Sequence, residues 1–301
     1  MVYSADAIGN IGRADQGPVS GSDKSNSTGP LMQGREYAWT GSDFLKVQSL
    51  IYDRAGISLH DGKHAMVYSR LSRRLRETGH SSFQEYLQWL ESYEGPEWQE
   101  FINSLTTNLT AFFREQHHFE ILASYFSERP SGPWNIWCNA ASTGEEPYSI
   151  VMTAFDALGK NPSAFRLIAS DIDSRVLATA AKGVYRLDGL KGLTQSHLQK
   201  YFLRGTGVNS GMVRAKAELR QAIDFISVNL IRDDWPFKEL FDVVFCRNVM
   251  IYFDAPTQRR VLERIHRVLK PGGMLFVGHA ENFSESKDLF SLRGKTVYER
   301  R

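Results

Sequence analysis

From Pro133 onward, short apolar runs alternate with amphipathic stretches, and few folds accept such a pattern. The apolar runs are NIWCNAA (135–141), FRLIAS (165–170), IDFIS (223–227), FDVVFC (241–246) and MLFVGH (274–279). Between several of them lie EEPYSIVMTAFDAL (145–158), SRVLATAAK (174–182) and TQRRVLERIHRVL (257–269). Strands that read as continuous apolar runs are buried on both faces, and helical crossovers supply the cover, so the pattern predicts an α/β fold with a largely parallel sheet. The closing TVYER (296–300) reads as an edge strand. Residues 184–222 interrupt the alternation with FLRGTGVNSGMVRAKAEL, whose glycines and alternating pattern predict a small antiparallel hairpin inserted in the sheet domain.

Upstream the period changes. From Ser42 to about Gly95 the apolar positions recur at helical spacing, as in Phe44, Val47, Leu50 and Ile51, and again in Phe83, Tyr86, Leu87 and Leu90. This predicts an all-helical unit over 35–106, ahead of the sheet domain at 107–301. One of its helices is basic, with Lys63, Arg70, Arg73, Arg74 and Arg76 set around Met66, Val67, Leu71 and Leu75. Two readings fit it: a solvated face whose aliphatic stems lie over the core, or a surface for an acidic protein or phosphate partner. Residues 1–34, rich in Gly, Ser, Asn and Asp, hold too few large apolar side chains to offset the entropy of ordering and read as a flexible tail.

Composition excludes several classes. No apolar run approaches the roughly 20 residues that span a bilayer, and the start MVYSADAIGN lacks a secretory signal's basic flank and apolar core. Cys138 and Cys246, far apart and each in a strand-like run, offer no disulfide framework and read as inert core residues in a reducing cytoplasm. A net charge of +2 gives no whole-chain argument for nucleic acid. Monomer is the default expectation.

In a doubly wound sheet, ligands bind beyond the carboxyl ends of the strands, so the residues that close each strand carry the chemistry. The first candidate strand runs into Ser142-Thr143-Gly144-Glu145-Glu146-Pro147. Gly144 could permit close backbone approach, but one glycine is not the three-glycine dinucleotide fingerprint, and an acidic pair at a helix start would repel a pyrophosphate. The second strand ends at Asp171, a carboxylate placed to accept both hydroxyls of an adenosine ribose, with a helix N-cap as the lesser alternative. FDVVFC ends in Arg247-Asn248, with Tyr252 following. The block Thr107 to Glu115, with Asn108, Thr110 and Arg114, could cover a ligand, or its phenylalanines could pack while Arg114 and Glu115 are solvated. His117 and His118 are adjacent rather than at metal-ligand spacing, so no metal is expected.

Taken in order, TTNLTAFFRE, AASTGEEPYS, ASDID, SVNL, FCRNVMIYF, LKPGG and FSLRG resemble the motif series of the chemoreceptor glutamate methyltransferases, the CheR family. The resemblance runs from about Ser42 to Tyr298. It implies a helical domain followed by a class I methyltransferase (Rossmann-like) sheet of seven strands with a small inserted antiparallel β-subdomain. It also implies S-adenosyl-L-methionine as cofactor and S-adenosyl-L-homocysteine as product. The implied cofactor contacts fall on Asn108, Thr110, Arg114, Glu145, Asp171, Asn229, Leu230, Arg247 and Asn248, with Arg114 and Tyr252 beside the transferring methyl. For partners it implies a receptor's C-terminal pentapeptide at Gly205, Gly207, Gly211 and Arg214, and acidic receptor methylation helices against Arg70, Arg73, Arg74 and Arg76. A glutamate acceptor, with a reference pKa of about 4.3, is already ionised near neutral pH, so such chemistry needs positioning rather than a strong base. A methyltransferase of the same fold acting on another protein or a small carboxylic acid, and a binding module that senses S-adenosylmethionine without turnover, are the competing readings.

Overall fold

The computed structural model describes residues 3–4, 36–128, 132–161 and 164–301. After a two-residue strand β1 (Tyr3–Ser4) come four helices, α1 (Gly41–Ala55), α2 (His64–Thr78), α3 (Phe83–Ser92) and α4 (Glu97–Leu105). The flexible tail expected over 1–34 lies, apart from those two residues, outside the described residues.

Local chemistry sets the helix limits. Thr40 and Asp43 form a reciprocal capping box at the start of α1, and Gly56, at φ 71°, ends it in the left-handed conformation that a Cβ would penalise. Phe44, Val47 and Ile51 of α1 then meet Val67, Leu71 and Leu75 of α2 and Phe83, Tyr86 and Leu90 of α3 in a core of their own.

The second unit contains α5 (His117–Glu128), β2 (Trp134–Cys138), α6 (Glu145–Leu158), β3 (Phe165–Asp171), α7 (Ser174–Lys182) and β4 (Val184–Arg186). It continues with α8 (Gln195–Tyr201), β5 (Phe202–Gly205), β6 (Met212–Ala215), α9 (Ala217–Gln221), β7 (Ile223–Ser227) and β8 (Phe241–Cys246). The last elements are α10 (Ala255–Val268), β9 (Leu269–Val277), β10 (Phe290–Gly294) and β11 (Val297–Arg300).

Seven strands form one sheet in the order β10-β11-β9-β8-β2-β3-β7, parallel from β9 to β7. Successive side chains of a strand point to opposite faces, and the two cores show it. Ile136 and Cys138 pack under α5, α6 and α7, whereas Trp137 between them packs with Val261, Leu262 and Ile265 of α10. TVYER is not the edge: β11 runs antiparallel between β9 and β10, and the edge is β10, from the segment FSLRG. The insertion is also larger than a hairpin. β4, β5 and β6 form an antiparallel sheet, and β1 adds a fourth strand beside β5.

Polar ties join the two units. Tyr52 Oη donates to Asp254 Oδ2 at 2.9 Å, Asn229 Nδ2 to Arg54 O at 2.7 Å, and Gln99 Nε2 to Ile172 O at 2.8 Å. These bring the α1–α2 connection over the carboxyl ends of the sheet.

Candidate functional site

A cavity of about 460 Å³ opens between that connection and the ends of β2, β3, β7 and β8. Its size suits a nucleoside-sized ligand. Each strand contributes the residues that follow it: Asn139 and Ser142 after β2, Asp171 closing β3, Asn229 and Leu230 after β7, and Arg247, Asn248 and Tyr252 after β8. The parallel strands end at one level, so residues far apart in sequence meet there.

Asp171, 8% exposed, is held from two sides: Ser142 N donates to Oδ2 at 2.8 Å and Asp173 N to Oδ1 at 3.0 Å. Ser142 takes φ 48°, a strained value for a non-glycine residue, to aim that N–H. Burial outweighs the donors and raises the Asp171 carboxyl to about 6. The helix-capping role also open to Asp171 belongs to Asp173, whose side chain accepts from Arg175 N and Val176 N. Asp173 Oδ2 further accepts from Thr106 Oγ1 at 2.6 Å and Asn108 Nδ2 at 2.8 Å, which fixes the loop that carries Asn108 and Thr110 along the wall.

Arg247, 3% exposed, organises the other half of the floor. Its Nη1 donates to Glu146 Oε2 at 2.5 Å, its Nη2 to Arg114 O at 2.6 Å, and Glu115 Oε2 lies 3.3 Å away. Burial pushes the Glu146 carboxyl up while Arg247 opposes it. Asn248 is left-handed, at φ 57°, because the chain must turn sharply off β8. Glu281 secures that turn by accepting from the backbone N–H groups of Asn248, Val249 and Met250 at 2.9, 3.0 and 2.8 Å.

The mouth is built differently. Arg114 is half-buried, with an exposed hydrogen bond from Nη1 to Leu109 O at 3.0 Å, and it has no ion-pair partner among the described residues. Tyr252 donates to Thr107 O at a weak 3.5 Å, and burial raises its phenol. Leu109 and Ile251, 81% and 51% exposed, line the same opening.

Glu145 is not part of this wall. It accepts from Thr143 Oγ1 at 2.6 Å, whereas the next residue, Glu146, lines the cavity and meets Arg247. A helix turns about 100° per residue, so neighbours at its start face different ways. Gly144, at φ 101°, is required by packing: a Cβ there would lie 2.8 Å from Tyr185 Oη and 2.9 Å from Ala180 Cβ. Glu115 is not solvated, and its carboxylate and the two histidines bring donor atoms within 4.8 Å of one another. Arg247 already supplies a cation there. His118, fully buried, donates from Nε2 to Lys295 O at 2.9 Å, and burial lowers it to about 4, so it stays neutral.

Arg74 leaves the basic face of α2. It is 7% exposed and donates to Glu97 through Nε at 2.9 Å and Nη2 at 2.6 Å, with Tyr86 Oη on the same carboxylate. Its position falls on the core side of the helix, where only a paired charge is tolerated. Arg70 donates to Thr106 O at 2.6 Å, while Arg73 and Arg76 are exposed. Gly205 closes β5, Gly207 and Gly211 take φ 58° and 81° in the β5–β6 connection, and Arg214 lies on β6, all outside the cavity wall.

Nothing in the sequence marks Asn139 or Glu281 for a role here. Asn139, on the floor and 2% exposed, has neither side-chain polar atom partnered within the protein, and Arg247 Nε is likewise unpaired. Buried polar atoms left unpaired cost about 1–3 kcal/mol each, so this floor fits a ligand with polar groups of its own.

Two family profiles match in succession: "CheR methyltransferase, all-alpha domain" over residues 42–106 and "CheR methyltransferase, SAM binding domain" over residues 108–299. The chain is 52% identical to the chemotaxis protein methyltransferase of Escherichia coli (strain K12), over 89% of this chain and 94% of that one. It is 47% identical to chemotaxis protein methyltransferase 2 of Pseudomonas aeruginosa, over 91% and 98%. The Borreliella burgdorferi chemotaxis protein methyltransferase is 31% identical, over 83% and 91%. Among solved structures, the N-methyltransferase NodS from Bradyrhizobium japonicum WM9 in complex with S-adenosyl-L-homocysteine shares 13% identity at a TM-score of 0.36, covering 62% of this chain and 87% of that one. Likeness at that level does not bear on function.

Proposed function

The chain belongs to the CheR methyltransferase family, and we propose that it methylates glutamate side chains on chemoreceptors, yielding glutamate 5-O-methyl esters and S-adenosyl-L-homocysteine. The observation that carries this reading is the contrast within one cavity: a buried polar floor, and a mouth where Arg114 and Tyr252 stand between exposed Leu109 and Ile251. A small acid would leave those apolar side chains in water. A protein helix would cover them.

When bound, S-adenosyl-L-methionine supplies an electrophilic methyl carbon on a sulfonium. On this reading Asp171 accepts the ribose hydroxyls, and Asn139, Arg247 and Asn248 offer polar groups to the rest of the cofactor along the floor. Asn108, Thr110, Asn229 and Leu230 complete the wall. Glu145 acts at most through the start of α6. Arg114 orients the attacking carboxylate, and Tyr252 fixes its second oxygen or the methyl. The acceptor is ionised already, so no residue has to take a proton; the neutral, buried His118 turns its N–H to Lys295 rather than to the cavity.

Docking follows from charge. Arg73 and Arg76 keep only exposed ion pairs, with Glu77 and Glu36, which an acidic receptor helix can outcompete. Arg70 stands with them; Arg74 does not. Arg214 has no acidic partner among the described residues and its Nε is buried without an acceptor, which favours an anionic peptide at the inserted sheet. We place the protein in the cytoplasm, where such receptor helices lie, acting as a monomer. Among the described residues no helix is long and apolar enough to cross a membrane.

The test is transfer of labelled methyl from S-adenosyl-L-methionine to purified chemoreceptor cytoplasmic domains, with and without the receptor's C-terminal pentapeptide. Base-labile label that falls when the pentapeptide is removed is the expected result. Cofactor binding with no label on any receptor would move the activity to another acceptor.

A further inference from the structure

The inserted sheet is not bare at the β5 edge. Its order is β1-β5-β6-β4, and the place beside β5 is taken by the chain's own Tyr3 and Ser4, antiparallel, with Tyr3 opposite Gly205 and Ser4 opposite Arg204. An unpaired strand edge is a template for any extended backbone, and such a row of N–H and C=O groups is how proteins take up peptides in extended form.

Three features near that edge suit peptide uptake. Gly205 carries no side chain at the pairing position, where a Cβ would lie 2.0 Å from Asn209 O. Val208, three positions on, is 98% exposed. Arg214 on the neighbouring strand lacks an acidic partner among the described residues. The resident strand is only two residues long, so its hold is a short piece of ladder.

We propose that Tyr3 and Ser4, paired along the outer edge of β5, are a tethered competitor that a peptide arriving in trans at that edge must displace. The proposal draws on the docking reading only for the identity of the displacing peptide, and on the β1–β5 register for everything else. Tyr3 and Ser4 belong to the same chain as β5, so their pairing is an intramolecular event, and tethering raises their effective concentration above that of a free peptide. Occupancy in cis lowers apparent affinity in trans by the fraction of molecules whose edge is free. Removing the strand therefore tightens peptide binding without touching the catalytic cavity.

The test compares the full chain with a full-length Tyr3→Pro/Ser4→Pro variant. Proline has no N–H to donate, so the double change breaks the ladder whichever residue is the bonded one. Hydrogen exchange of the amides of residues 202–205 should be faster in the variant. A labelled peptide of residues 1–8, MVYSADAI, should bind the variant and bind the unaltered chain at least about threefold more weakly. Equal binding to both proteins, or no binding to the variant, overturns the proposal. The receptor pentapeptide is then titrated as competitor. If MVYSADAI binds the variant but the pentapeptide does not displace it, the resident strand stands and the docking reading falls. If the pentapeptide binds both proteins equally and MVYSADAI binds neither, the docking reading stands and the resident strand falls.

Discussion

The floor and the mouth of the cavity solve opposite problems. On the floor and directly behind it, Asp171, Glu146, Arg247 and the turn-holding Glu281 are all under 9% exposed and each is held by two or more hydrogen bonds or by an ion pair. At the mouth, Arg114 and Tyr252 have one weak or exposed contact each. A preorganised floor can bind a ligand without rearranging, at the expense of buried charges that must stay paired. An open mouth leaves donors free for an acceptor that arrives with its own charge. The strained backbone follows the same division: Ser142 and Asn248, both left-handed, are pinned by the buried carboxylates Asp171, on the floor, and Glu281, behind it.

The comparison breaks most readily at Arg247. Arg247→Ala strands Glu146 and Glu115 without their cation, and chemical denaturation should show a loss of about 3–5 kcal/mol, as for other broken buried pairs. A loss under about 1 kcal/mol would mean that the floor is not a charge network. At the mouth the effect should fall on turnover instead. Arg114→Ala should slow methyl transfer by about 100-fold through lost positioning while shifting stability by no more than about 0.5 kcal/mol. Full turnover would remove Arg114 from the reaction.

Asp171→Asn should weaken cofactor binding by about tenfold or more, the worth of a hydrogen bond to a charged acceptor. Its pH dependence sharpens the point. Ribose hydroxyls donate best to the ionised carboxylate, so affinity should rise with pH through about 6 and level off above it, and Asp171→Asn should flatten that rise. The sign for folding is opposite: a carboxyl raised from 3.8 to about 6 destabilises the ionised native state, so its contribution to stability declines as pH climbs through that window. Calorimetric titration from pH 5 to 8 reads the binding trend.

A smaller difference separates the adjacent acids. Glu145→Gln should leave cofactor affinity within about twofold, since surroundings off the cavity wall respond weakly to such a change, whereas Glu146→Gln should weaken it more by releasing Arg247. Equal effects would put both carboxylates at the ligand. Least of all, Arg73→Ala with Arg76→Ala should reduce receptor affinity by about two- to fivefold at low salt, and less as salt rises.

Much of this architecture was legible in advance. The stretch SRVLATAAK is α7 residue for residue, and EEPYSIVMTAFDAL is α6, because both carry amphipathic periodicity and end at a glycine. The strand ends singled out for ligand chemistry, Asp171 and Arg247-Asn248, do line one cavity. TVYER lies inside the sheet and FSLRG forms its edge, a difference that alternation cannot show because it reports a strand but not its neighbours. Arg74 is buried among otherwise accessible arginines, and a run of basic residues shows its charge, not which member turns inward. Asn139, Asp173 and Glu281 stand in no spacing that marks them.

Residue order alone determined the elements: period 3.6 or 2, caps, glycine stops and the run of strand-end motifs are local, and local forces act on neighbours in sequence. Only the tertiary structure decided which of two adjacent glutamates meets Arg247, which arginine of α2 is buried, that Glu281 holds the turn after β8, and that Tyr3 and Ser4 lie beside β5. Each of those is a contact between residues distant in the chain, and burial, which strengthens a charge or hydrogen bond and sets the pKa of Asp171, exists only once the layers have packed.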